Sequence, residues 1–192
     1  MGDIWLISDT HFGHENILEF IDSRTGLKVR PGFSNVDEMD ECMVDNWNSV
    51  VKNSDKVWHL GDVMMGDTKR FEKLWPKLNG SKRLCVGNHD DIKYLSSGGF
   101  FQKVHLERKF RDEKLHFSHI PLHPSQHEVG APGSKNFFCN IHGHIHGNPT
   151  PVGRYINVSV EVINYTPVAF EEITAQAKVL LEKKYRMSEN NG

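Results

Sequence analysis

Five short strand-like runs in this chain each end abruptly in Asp, Asn or His, and this restricts the fold more than any other feature. Ile4-Trp5-Leu6-Ile7 leads into Ser8-Asp9-Thr10-His11, and Lys56-Val57-Trp58-His59-Leu60 into Gly61-Asp62. Arg83-Leu84-Cys85-Val86 leads into Gly87-Asn88-His89-Asp90. Lys114 to Ser118 runs into His119, and Phe137 to Ile141 into His142-Gly143-His144-Ile145-His146. Short apolar runs bounded by turn signals suit buried strands, so each polar cluster falls just after a strand's carboxyl end.

Helical patterns lie between these runs. Asn35 and Glu38 have the form of a capping box, and Val36, Met39, Met43, Trp47 and Val50 recur at helical spacing. The Met39/Met43/Trp47 stripe reads as core packing. Thr68 to Leu78 suits a short helix that Pro76 distorts, and Phe170, Ile173, Ala177 and Leu180 mark a final helix. Alternation at Gln102 to Phe110 and a late run at Tyr155 to Val160 suggest further strands, while Asp22 to Asn35 and His123 to Asn136 read as loops. The expected class is α/β, with layers around a central sheet. Sites in such folds form at the carboxyl ends of strands, so one site could collect all five clusters. No repeat or linker divides the chain, and residues 1–186 are read as a single domain, with the polar 187–192 as a flexible tail.

The formal net charge of −2 advertises neither a nucleic-acid surface nor a membrane-seeking one. No apolar run approaches the roughly 20 residues needed to span a bilayer, and the N-terminal residues lack the pattern of a secretory signal. Cys42, Cys85 and Cys139 are far apart and form no CxxC pair, as expected of reduced thiols in a cytoplasmic protein. Histidine is the outlier, with twelve copies, several in tight clusters.

In Asp9-x-His11 and His144-x-His146 the paired residues are two apart, so both side chains of a pair can point the same way from an extended strand end. Carboxylate oxygen, neutral imidazole and amide oxygen form a mixed N/O donor set suited to Mn²⁺, Fe, Zn²⁺, Co²⁺ or Ni²⁺. Glycines 61, 87 and 143 are expected to let the backbone turn sharply beside the ligands.

The ordered series Asp9-x-His11, Gly61-Asp62, Gly87-Asn88-His89-Asp90, His119 and Gly143-His144-x-His146 resembles the calcineurin-like metallophosphoesterase superfamily, whose blocks are DxH, GD, GNH[DE], H and GHxH. The resemblance implies a four-layer α/β/β/α sandwich with two mixed sheets and two divalent ions, Mn²⁺ foremost. It implies that Asp9, His11 and His146 hold one ion, that Asn88, His119 and His144 hold the other, and that Asp62 bridges them. A hydroxide between the ions would attack the phosphorus, and His89 would stabilise the phosphoryl oxygens or protonate the leaving oxygen. The stretch from Asp9 to Asn16, with Arg30-Pro31 and the run Asn35 to Met39, looks like a subgroup of small bacterial and phage phosphoesterases. That likeness implies that His14 and Arg30 face the substrate.

Departures narrow the activity. Ser/Thr protein phosphatases of the superfamily carry GDxxDRG and GNHE, whereas here Val63-Met64-Met65-Gly66 follows Asp62 and the other block ends in Asp90. The expected substrate is therefore a small phosphate mono- or diester, a nucleotide or related ester. A nuclease acting on nucleic-acid ends or single strands is the alternative. A catalytically silent scaffold is another, disfavoured by the complete ligand set. His59, His105 and His116 read as structural strand residues, and His142 as a support for the ligands. His123 and His127 read either as part of a lid or as exposed loop residues. Arg24, Lys28 and Arg30 form a modest basic loop that meets phosphate or is simply solvated.

Overall fold

Strand alternation divides the apolar residues of the first sheet between two cores. The computed structural model of the protein describes residues 2–128 and 134–189, with side chains as far as residue 182. In the first sheet, β1 (Ile4–Ile7), β2 (Lys56–His59), β3 (Ser81–Cys85) and β4 (Lys103–His105) run parallel in the order β4-β3-β2-β1. β9 (Val168–Ala169) pairs antiparallel with β1 at the far edge. Ile7, Val57 and Leu84 point to one face, where α1 (Val36–Val50) and α2 (Thr68–Leu74) bury Met39, Met43, Trp47 and Phe71. Leu6, Trp58 and Cys85 point to the other.

That second face meets a second mixed sheet. β5 (Glu107–Phe110) is antiparallel to β6 (Leu115–Ser118), and β6, β7 (Cys139–His142) and β8 (Tyr155–Asn157) are parallel. Leu115, Phe117, Cys139 and Ile141 fill the space between the sheets, joined by Ile173 and Ala177 of α5 (Phe170–Glu189). Burial in this core pushes the thiols of Cys85 and Cys139 up to about 12, as suits inert thiols. The result is a mixed α/β layering with two face-to-face sheets. Among the described residues no helix is long and apolar enough to cross a membrane.

Local signals explain most elements. Asn35 caps α1 by accepting a hydrogen bond from the Glu38 N–H at 2.9 Å, while the Glu38 carboxylate accepts from Ser34 N–H rather than from the cap's own. Pro76 sits in a 3-10 turn, Trp75–Lys77, that ends α2. Two expectations need correction, and one helix was not foreseen. Gln102 to Phe110 is not one strand: it breaks at exposed Leu106, and β4 and β5 join different sheets. Asp91 caps a short helix, α3 (Ile92–Ser97), that no periodicity announced. His127 is no lid residue but the last residue of one-turn α4 (Pro124–His127), buried with its ring 4.8 Å from that of Tyr155. The final helix spans Phe170–Glu189, and residues 190–192 of the expected tail lie outside the described residues.

Candidate metal centre

The carboxyl ends of β1, β2 and β3 share one edge of the first sheet, and those of β6, β7 and β8 share one edge of the second. Beyond β1 and β8 the two edges are stitched together. Ser8 N–H donates to the Val158 carbonyl at 2.9 Å, and Val160 N–H donates to the Ser8 carbonyl at 3.1 Å. All five polar clusters therefore converge on one place.

Two groups of side chains there could hold metal ions. Asp9, His11 and His146 bring their ligand atoms within 4.8 Å of one another, and so do Asp62, His119 and His144. The Asn88 Oδ1 lies 2.9 Å from His119 Nε2, which adds the amide to the second group. Asp62 belongs to both neighbourhoods: its Oδ2 is 3.3 Å from His119 Nε2 and 3.6 Å from His11 Nε2. The rings of His11 and His146 stack at 5.3 Å, and those of His119 and His144 meet edge to face at 5.1 Å.

The backbone is distorted to achieve this. Asp9, His11, Asp62, His144 and His146 have φ values of 59°, 47°, 55°, 69° and 50°. Left-handed backbone is costly for residues with a Cβ and gathers where function over-determines geometry. The glycines act differently from the sequence-based expectation. Only Gly61 turns with positive φ, at 99°. At Gly87 and Gly143 the issue is close approach: a Cβ would overlap the Asp62 carboxylate at one and Ser8 Oγ and the Asp9 carboxylate at the other. Gly143→Ala should therefore displace Asp9. Titration with Mn²⁺ should show affinity reduced about 10–100-fold, the usual scale for disturbing groups that orient ligands, and unchanged affinity would refute this account.

Protonation suits ligation in part. Burial, then the Arg30 charge, lowers His11 to about 2, leaving a neutral imidazole. Among the described residues both its ring nitrogens are buried without a hydrogen-bond partner, an expensive arrangement that a cation would relieve. Burial opposes ionisation of Asp62, but the hydrogen bond and charge of His119 and the His89 N–H hold its carboxyl well below the usual range. Burial alone would lower His119, yet Asp62 and Asp9 raise it. The donor set thus fits divalent cations, which would displace the His119 proton.

His89 is exposed at the mouth, with its ring 5.8 Å from that of His11 and its N–H donating to Asp62 Oδ1 at 2.9 Å. His14 is half-buried, 5.5 Å from the His11 ring. Arg30 corrects the expectation that it faces substrate. It is wholly buried, its Nε donates to Glu161 at 2.7 Å, and its other nitrogens donate to the carbonyls of Thr10 and Asp9 at 3.0 and 2.6 Å. It shapes the loop that carries Asp9 and His11. His59 is structural: Nδ1 accepts from Gly61 N–H, which leaves Nε2 to donate to Thr10 Oγ1 at 2.9 Å.

Sequence reasoning missed the supporting residues. Glu161 accepts from Arg30 and, at 3.0 Å, pairs with His146 Nδ1, fixing which nitrogen of that ring faces the centre. Ser159 donates to Asp9 Oδ2 at 2.9 Å, and Asp90 accepts from the N–H groups of Asp62, Val63 and Gly87. Asp90 was visible as the end of its block. Glu161 and Ser159 follow β8, the one parallel strand of the second sheet whose end lacked a histidine signal.

No protein-family model matches the chain. It is 38% identical over 93 residues to the Gene 66 protein of Mycobacterium phage L5, which covers 47% of this chain and 41% of that protein. The solved structure of AQ665, a protein of unknown function from Aquifex aeolicus, superposes with a TM-score of 0.67 at 26% identity, covering 92% of this chain and all of that one. The uncharacterized protein MJ1445 of Methanocaldococcus jannaschii is 36% identical over 182 residues, 90% of each chain. At that identity and coverage the chain belongs to the family of MJ1445.

Proposed function

We propose that the protein is a metal-dependent phosphoesterase of the calcineurin-like superfamily, with the α/β/β/α sandwich of that group, acting on a small phosphate mono- or diester such as a nucleotide. One observation carries this reading: a single carboxylate, Asp62, lies between two separate sets of N/O donors. Two divalent cations, Mn²⁺ foremost, supply Lewis acidity toward a phosphoryl oxygen and toward water when bound.

The chain's own residues do the rest. Asp9, His11 and His146 would hold one cation and Asn88, His119 and His144 the other, with Asp62 within reach of both. Arg30 and Glu161 fix the β1 loop and the His146 ring from behind. Asp90 and the His89 N–H anchor the loop after β3, and the exposed His89 ring lies 5.8 Å from that of His11. From there an imidazole can donate a proton or hydrogen bond to a phosphoryl or leaving oxygen.

With Mn²⁺ added, the purified protein should hydrolyse p-nitrophenyl phosphate or its bis-ester. His89→Ala should lower turnover about 10²–10⁴-fold, the range for a lost general acid, while bound Mn²⁺ stays the same. A protein that binds Mn²⁺ and turns over neither ester would overturn the reading.

A further inference from the structure

Beside the centre lies a cleft of about 430 Å³ whose lining includes His146 itself. One wall is a tight antiparallel turn over residues 20–29, closed by Asp22 N–H donating to the Leu27 carbonyl and Val29 N–H to the Phe20 carbonyl, both at 2.8 Å. The other wall is Gly147 and Asn148. Arg24 ties the walls together, since its Nη2 donates to both Asp22 Oδ2 at 2.7 Å and the Gly147 carbonyl at 3.2 Å.

The cleft presents apolar surface to solvent. Phe20, Ile21 and Leu27 are 49%, 55% and 65% exposed, and all three line it. A chain of rings leads there from the centre: His11 to His14 at 5.5 Å, then His14 to Phe20, edge to face, at 5.6 Å. The nearby cations are already matched by carboxylates. Arg24 pairs with Asp22, Lys28 with Glu19 at 3.0 Å, and Arg30 with Glu161. With no surplus positive charge, this wall offers little to a second phosphate or a polyanionic strand.

We propose that this cleft is the binding site for the organic part of the substrate, and that this part is a flat apolar ring, an aryl group or nucleobase packing against Phe20. The inference rests on the phosphoesterase reading, which supplies the phosphate end at the centre. Phe20 is the anchor, because a ring in contact with an aromatic face gains stacking beyond area burial. Arg24 is a positioning residue that holds the cleft open at a fixed width. The arrangement favours an ester with one phosphate and one ring over a nucleic-acid strand.

The test is calorimetric binding of non-hydrolysable phosphonates to the Mn²⁺-loaded protein. Benzylphosphonate should bind about tenfold more tightly than methylphosphonate, the scale of one stacking contact. In Phe20→Ala that preference should fall to near unity, with methylphosphonate affinity unchanged, and Phe20→Tyr should restore it. A nucleoside 5′-phosphonate binding more tightly than benzylphosphonate identifies the ring as a nucleobase, and the reverse order identifies an aryl group. Equal affinity for the methyl and benzyl compounds in the unmodified protein, or a preference that survives Phe20→Ala, overturns the cleft proposal and leaves the phosphoesterase reading standing. Failure of every phosphonate to bind the loaded protein overturns both.

Discussion

Asp62→Asn should lose Mn²⁺-dependent ester hydrolysis by at least about 1,000-fold, or roughly 4 kcal/mol of barrier. Asparagine keeps the shape and can still accept the His89 N–H at Oδ1. The loss lies at the other atom. Oδ2 faces His119 and His11, and an amide NH₂ there offers hydrogens where a cation needs a lone pair. The full negative charge that would offset two divalent ions also disappears. Metal analysis of the variant should show at least one site depleted, and circular dichroism should show the fold retained. A variant with normal turnover would refute the shared role of this carboxylate and the mechanism built on it.

Removing the carboxylate of Glu161 should have the largest effect on stability. Glu161→Ala strands the buried Arg30 guanidinium, and breaking a buried pair on one side costs about 3–5 kcal/mol. Urea unfolding of the metal-free protein should show that loss, and a change under about 1 kcal/mol would contradict it. The same carboxylate gives a pH signature. Burial alone would raise it, but Arg30 first and His146 next hold Glu161 down to about 2, against an ordinary 4.5. The stabilisation is fully present above pH 4.5 and drains away as pH falls from 4.5 toward about 2. Over that window the stability difference between the natural protein and Glu161→Gln should shrink.

Much of this centre was legible in the chain because strand ends convert linear order into spatial convergence. Each cluster needed only an apolar run before it to be assigned to the same edge. Arg30 shows where such reading stops. A basic residue in a loop beside an expected phosphate site suggests an anion contact, but burial and two backbone carbonyls make it a brace instead. Glu161 was missed for the complementary reason: a lone carboxylate in a turn has no spacing signal, and its role exists only through partners 131 and 15 residues away. The break at Leu106 was hidden because strand alternation looks the same whether a strand stays in its sheet or leaves it.

The stitching of the two sheets at Ser8 has a consequence for the order of events during folding. Asp9 and His11 hang from the first sheet and His146 from the second; Asp62 and Asn88 hang from the first and His119 and His144 from the second. Neither donor set exists in half of the molecule. A nascent chain cannot present a finished set before residue 146 has left the ribosome and the sheets have docked. Capture of cations by these donors would therefore be a closing event that locks a finished scaffold, rather than a nucleus on which the chain condenses.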